Sequence, residues 1–169
     1  MSEVIEYSGN LETTTNAIIA SDLLDELIAI RDSFDMSYWR LGDITNVIIN
    51  QAIAQGAENI NMLLYHRIGQ IVGKSPNMIR YYSAVSGYYP DEIRESYPLL
   101  TFSHFAYAMR FRDSDDVAYS EGSKCAQILE YAHLNAEDYH GLPPSVASLK
   151  DRFEGDPRRQ RVATTTGGY

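Results

Sequence analysis

Several things are scarce in this chain, and each shortage closes off a class of protein. A single cysteine, Cys125, leaves no internal disulfide possible, which fits a reducing compartment such as the cytoplasm. No apolar run approaches the roughly 20 residues of a membrane-spanning helix, so no membrane association is expected. The opening residues Met1–Asn10 are acidic and polar. They place no basic stretch ahead of an apolar one, so no signal peptide is expected. Period-two alternation is nearly missing, which argues against a sheet. Basic residues are few: 14 Lys and Arg against 23 Asp and Glu, a net charge of −9. That balance excludes a protein that coats nucleic acid by bulk attraction.

Chemistry-bearing motifs are equally thin. His66, His104, His133 and His140 lack the spacing of a zinc finger or an HExxH helix. Asp138 and His140 are close in sequence, but two ligands in a loop do not make a metal site. No phosphate-cradling glycine loop is present. Nothing near Cys125 marks it as a nucleophile, so a small core residue is the expectation. His104 is expected to cap or pack beside Thr101. Catalytic residues, metals and cofactors are therefore all expected to be none, and the protein is not read as an enzyme.

What is present is a chain that is 44% hydrophobic, ample for a core, with apolar residues recurring every three or four positions. This is the helical period, and it predicts an all-α fold. A flexible acidic N-terminus is expected over 1–20, a helical domain over 21–154, and a disordered tail over 155–169. Tyrosine is over-used, with 13 against 5 Phe and one Trp. Its apolar ring and polar tip suit half-buried and interface positions. Charge is unevenly spread: residues 1–36 carry net −7, residues 37–112 net +2, and residues 113–169 net −4.

Local signals divide the domain into helices. Ser21-Asp22 opens one carrying Leu24, Leu27 and Ile28, with Leu23, Ile30 and Phe34 widening its stripe. A second runs from Ser37 or Asp43 to Gln55, with Trp39, Ile44, Val47, Ile48 and Ala52, and stops at Gly56. Asn59 is read as the cap of a third, which ends at Val72-Gly73. Ser75 caps a fourth, with Pro76 at its first position, where a missing N–H costs nothing. Short helices follow over Asp91–Tyr97 and from Thr101 or Ser103. Another runs from the Ser123 cap to about Leu134, with Ile128, Leu129 and Ala132 inward. The last starts at Ser145, with Val146, Leu149 and Phe153. Tyr88-Tyr89 are expected to pack the junction around Pro90.

The third and fourth helices meet the demands of a helix-turn-helix at about 63–86. That motif needs a small residue where its helices touch, a turn residue tolerating positive φ, and matched apolar positions. Gly69 supplies the small contact and Gly73 the turn. Ile68 and Val72 face Ile79 and Tyr82. The same geometry turns Ser75, Asn77, Arg80 and Tyr81 outward near the start of the second helix, the end that enters a major groove. Arg80 can donate twice to a guanine edge, and Asn77 can pair with adenine. Ser75 with the first amides of the helix, and Lys74 in the turn, suit phosphates. Read without function, these are solvated residues on an exposed helix.

The segment Tyr65–Phe111 resembles the central DNA-binding domain of ParB/KorB-like partition proteins and related phage and plasmid proteins. The matching run is IGQIVGKSPNMIRYYSAVSGYYPDEIRESYPLLTFSHFAYAMRF. It includes the Pro-initiated helix Pro90-Asp91-Glu92-Ile93-Arg94 and the helix start Leu100-Thr101-Phe102-Ser103-His104. Upstream, Trp39-Arg40-Leu41-Gly42-Asp43 looks like the entry helix of related mobile-element proteins. The resemblance implies a helical scaffold that reads DNA through the Ser75–Val85 helix. Residues 1–36 are short and acidic, without the arginine-rich motif of the family's nucleotide-binding domain. The DNA-binding role carries over, and the nucleotide-driven clamp does not.

The resulting expectation is a sequence-specific double-stranded DNA-binding protein, a transcriptional regulator or partition-like factor of a mobile element. It would act as a homodimer, because one such motif covers few base pairs. The dimer would form through the Ser21–Phe34 helix or the C-terminal helices. The alternative is an acidic protein-interaction module, an adaptor or inhibitor of a host protein, whose flanks dock on a partner while the helix pair is scaffold.

Overall fold

The computed structural model describes residues 18–32, 38–139 and 141–155. The acidic lead up to residue 17, Phe34, Ser37, His140 and the tail from 156 lie outside them. Among the described residues are eight α-helices and no strand, as the periodicity predicts. They are α1 (Ser21–Asp32), α2 (Tyr38–Ala54), α3 (Asn61–Val72), α4 (Pro76–Tyr88), α5 (Asp91–Ser96), α6 (Phe102–Met109), α7 (Lys124–Asp138) and α8 (Val146–Phe153). No helix there is long and apolar enough to cross a membrane. The chain divides into two compact units, Met1–Gly87 and Tyr88–Tyr169.

In the first unit, α1 packs on α2 and α3, and α2 packs on α3. Leu27 of α1 is fully buried, as are Leu41 and Ile48 of α2 and Leu64 and Ile68 of α3. Each such side chain contributes roughly 1.5–3 kcal/mol by leaving water. Val47 lies on the other side of α2 and is exposed. The chain turns at Gly56, whose φ of 85° is the left-handed conformation that glycine adopts freely.

The start of α3 corrects the sequence reading. The residue before α3 is Ile60, which makes no side-chain cap, and Asn59 sits one position further out. Asn59 has a φ of 55°. A short polar side chain tolerates that conformation, so Asn59 turns the chain and Ile60 is drawn into the core instead.

In the second unit, α6, α7 and α8 pack on one another. Every residue of α6 except Ser103 is buried, the signature of a helix enclosed on all sides. Its start is fixed by a capping box between Thr101 and His104. His104 Nδ1 accepts from the Thr101 amide at 3.1 Å, and its Nε2 lies 2.6 Å from the Pro144 carbonyl. A carbonyl can only accept, so the ring carries its proton on Nε2. The caps at Ser123 and Ser145 are also present: their hydroxyls accept from the amides of Ala126 and Ser148, both at 3.1 Å. Helix α7 runs to Asp138, a turn beyond Leu134. The buried stripe continues through Ala132 and Ala136, and the next break is Gly141, with φ 81°.

Tyr88 and Tyr89 pack inward beside Pro90, as expected. Their rings meet edge to face at 4.9 Å, and Tyr89 meets Phe105 in the same way at 5.0 Å. The Tyr89 hydroxyl donates to the Phe105 carbonyl at 2.7 Å and lies 2.9 Å from the Cys125 sulfur. Cys125 is fully buried, and burial pushes its thiol pKa up, the opposite of what a nucleophile needs.

Candidate nucleic-acid interface

The candidate site is the outer face of α4, and three groups of residues hold that helix in place. The first is the turn. Helix α3 ends on Gly73, which has a φ of 78°. The amides of Gly73 and Lys74 both donate to the Gly69 carbonyl at 2.9 Å. A side chain on Gly69 would put its Cβ well inside 3.0 Å of the Lys74 carbonyl oxygen. Position 69 therefore requires glycine for backbone approach, and position 73 favours it for conformation. The second group is apolar: Ile68 and Val72 of α3 are buried, as are Ile79, Tyr82 and Val85 of α4.

The third group was not visible in the motif. Helix α2 approaches α4 backbone to backbone at Gly42, where an added Cβ would collide with the Tyr82 carbonyl and the Ser86 side chain. One turn on, Asn46 Nδ2 donates to the Ser83 carbonyl at 3.0 Å, and the Ser83 hydroxyl donates back to Asn46 Oδ1. The Thr45 hydroxyl, also buried, is satisfied within α2 by the Leu41 carbonyl at 2.8 Å. Ser83 and Ser86 are thus buried polar residues facing α2.

With its inner face engaged, α4 presents Asn77, Arg80, Tyr81 and Ala84 as an exposed stripe. They stand at offsets of three, four and seven residues, which the helical period aligns on one face. Lys74 is half-buried in the turn. Ser75 is exposed and caps α4, its hydroxyl oxygen accepting from the Met78 amide at 3.2 Å. This narrows the expected phosphate role of the helix start. Pro76 has no amide proton and the Met78 amide is occupied, so Asn77 supplies the first-turn N–H open to an anion. The Ser75 hydroxyl proton remains available to donate.

The local charge is distinctive for so acidic a chain. Residues 59–90 contain Arg67, Lys74 and Arg80 and no Asp or Glu. Averaging over 37–112 obscures this, because every acid in that window falls before 59 or after 90. Elsewhere in the unit, Arg40 is paired with Glu26 of α1. The stretch that forms α3, the turn and α4 is thus the longest part of the chain without an acid.

One tyrosine that the motif did not single out, Tyr38, sits beside the stripe. Tyr82 packs its ring against Tyr38, the first residue of α2, with centroids 5.1 Å apart. Tyr81 lies against the same ring at 6.0 Å. The signal for Tyr38 was weak in the sequence, because it depends on a contact across 44 residues.

Among the described residues, no three His, Cys, Asp or Glu side chains gather as a metal site. No protein-family model, curated protein or solved structure matches this chain.

Proposed function

We propose that α3, the Gly73–Ser75 turn and α4 form a helix-turn-helix. The protein binds double-stranded DNA sequence-specifically through the exposed face of α4. The observation that carries this reading is an outward polar stripe, Asn77, Arg80 and Tyr81, in an acid-free segment on a helix whose inner face is locked by backbone contact. Arg80 donates to a guanine edge and Asn77 pairs with adenine. Lys74, Ser75 and the Asn77 amide hold phosphates that set the register. The reading makes the protein a cytoplasmic regulator or partition-like factor, of the kind mobile elements carry. It acts as a homodimer on half-sites roughly 34 Å apart.

The acidity elsewhere has a defined effect. With three bases in the binding segment, few counterions are released, so non-specific affinity is low and base contacts dominate discrimination. Selection from random duplex DNA should yield a defined motif. Arg80→Ala should then weaken binding to that motif by about 1–3 kcal/mol and relax the preference at one position. The measurement is fluorescence anisotropy across a salt series. Wild-type protein without salt-sensitive duplex binding, or an Arg80→Ala protein that binds its site unchanged, would sink the reading.

The net charge of −9 favours a second reading. The protein is then an acidic adaptor or inhibitor that docks on a host protein through its flanks, with the helix pair as scaffold. Capture of a basic host protein, together with no enrichment in the duplex selection, would establish it over the first.

A further inference from the structure

The second unit exposes apolar side chains where α7 ends. Leu134 is 53% exposed, Tyr139 65% and Leu142 72%. The Gly141 amide donates to the Ala136 carbonyl at 2.7 Å and the Leu142 amide to the Tyr139 carbonyl at 3.0 Å, so the turn folds back on the end of the helix. Single exposed apolar residues are ordinary, but a group of them rimmed by polar side chains marks a contact surface. The rim here is acidic. Glu130, Glu137 and Asp138 are exposed and stand at offsets of three and four residues from Leu134, which the helical period aligns on one face. Glu137 lies 3.5 Å from His133 Nδ1, and a carboxylate has further acceptor sites beyond that contact. Lys124, the one Lys or Arg of α7, is at the opposite end of the helix, over the Phe153 ring at 5.2 Å. Arg152 of α8 lies over the Tyr131 ring at 5.3 Å and bounds the stripe on that side. From Tyr139 to Leu149 the sequence has no Lys, Arg, Asp or Glu.

We propose that Leu134, Tyr139 and Leu142 form the apolar centre of a docking surface for a basic amphipathic segment of a partner protein. Such a segment buries its apolar side chains on this centre. Its Lys or Arg side chains meet Glu130, Glu137 and Asp138 at the rim, where opposite charge fixes register and speeds encounter. The same charges decide against two other occupants. A second copy of this chain, paired about a two-fold axis, would set the acidic patch against itself. Nucleic acid carries the sign that the rim repels. None of these residues lies on α4, so the proposal stands apart from the DNA-binding reading.

The probe is a fluorescein-labelled synthetic peptide with a leucine stripe flanked by lysines, titrated with the full chain and read by anisotropy. Wild type should bind it, with an affinity that falls as salt rises. Leu134→Lys should weaken binding by about tenfold or more and Leu134→Ala by about fivefold, the scale of a central anchor. Leu142→Lys, in the turn rather than the helix, should weaken it likewise, and melting curves check that each variant is folded. Glu130→Gln combined with Asp138→Asn should weaken binding by about three- to tenfold at low salt and by less at high salt. Glu92→Gln combined with Glu95→Gln on α5 removes the same charge from the same unit and should change nothing. Equal losses from the α5 and α7 pairs would overturn the proposal, because the attraction would then be general. A peptide that does not bind, or that binds the Leu134→Lys and Leu142→Lys proteins as it does wild type, overturns it too. So does self-association of wild type that Leu134→Lys abolishes, which would assign the face to a second copy. Arg80→Ala tests the DNA-binding reading on a separate helix, so either can fail alone.

Discussion

The two units use the same residue in different ways. In the second, tyrosine builds much of the core: Tyr88, Tyr89 and Tyr107 are each at most 3% exposed, while Tyr139, just past α7, is 65% exposed. Tyr89 donates to a main-chain carbonyl, and the Tyr107 hydroxyl donates to Glu154 at 3.2 Å. Among the described residues of the first, only Tyr82 is a buried tyrosine, and Tyr38 and Tyr81 pack against it at the surface. An unpaired buried hydroxyl costs about 1–3 kcal/mol, so a partner favours enclosure. The second unit supplies one to Tyr89 and one to Tyr107, while the Tyr88 hydroxyl is buried without a hydrogen bond. The first keeps Tyr38 and Tyr81 at the surface, 44% and 42% exposed.

That contrast can be broken most forcefully at Tyr89. Tyr89→Ala removes a fully enclosed ring and should cost about 3–5 kcal/mol in denaturant unfolding. A loss below about 1 kcal/mol would mean the second unit does not depend on its tyrosine core. A subtler probe is alkali. Burial holds the pKa of Tyr88 and of Tyr107 up to about 12, against an ordinary 10.0. A folded value above the unfolded one gives stability that is complete below pH 10 and lost as pH climbs through 12. The denaturation midpoint should therefore fall across that window, and Tyr88→Phe should make the fall shallower. An identical alkaline profile in the variant would count against an enclosed Tyr88 hydroxyl. The smallest effect belongs to the first unit: Tyr81→Ala should change unfolding free energy by no more than about 0.5 kcal/mol. A loss above about 1.5 kcal/mol would place Tyr81 in the core and dissolve the contrast.

Legibility in the sequence followed the range of the interaction. The caps at Ser75, Ser123 and Ser145 each depend on an amide three residues away, so local pattern was enough to find them, while it left Thr101 and Ser103 both open for the start of α6. Gly69 and Gly73 were legible for the same reason. Asn59 misled because asparagine suits both a cap and a left-handed turn, and the burial of Ile60 decided between them. Gly42, and the bonds between Asn46 and Ser83, could not be read from local pattern. They link positions dozens of residues apart, and within α2 a glycine looks only like a weak helix former. The unit boundary at Gly87 falls inside α4, with no polar linker to announce it. For the candidate site, the outward stripe was legible from helical period and the acid-free span from the sequence itself, while the packing of Tyr38 against Tyr82 required knowing what lies beside α4.

The close approach at Gly42 also bears on how such a protein can change. Main chain meets main chain there, so the pitch of α4 is set by atoms that every residue type shares. Side chains at 77, 80, 81 and 84 point away from that contact and can be exchanged without retuning it. The contact is a fixed mount that does not depend on the outer face, so variants rewritten at those four positions alone should keep the same fold.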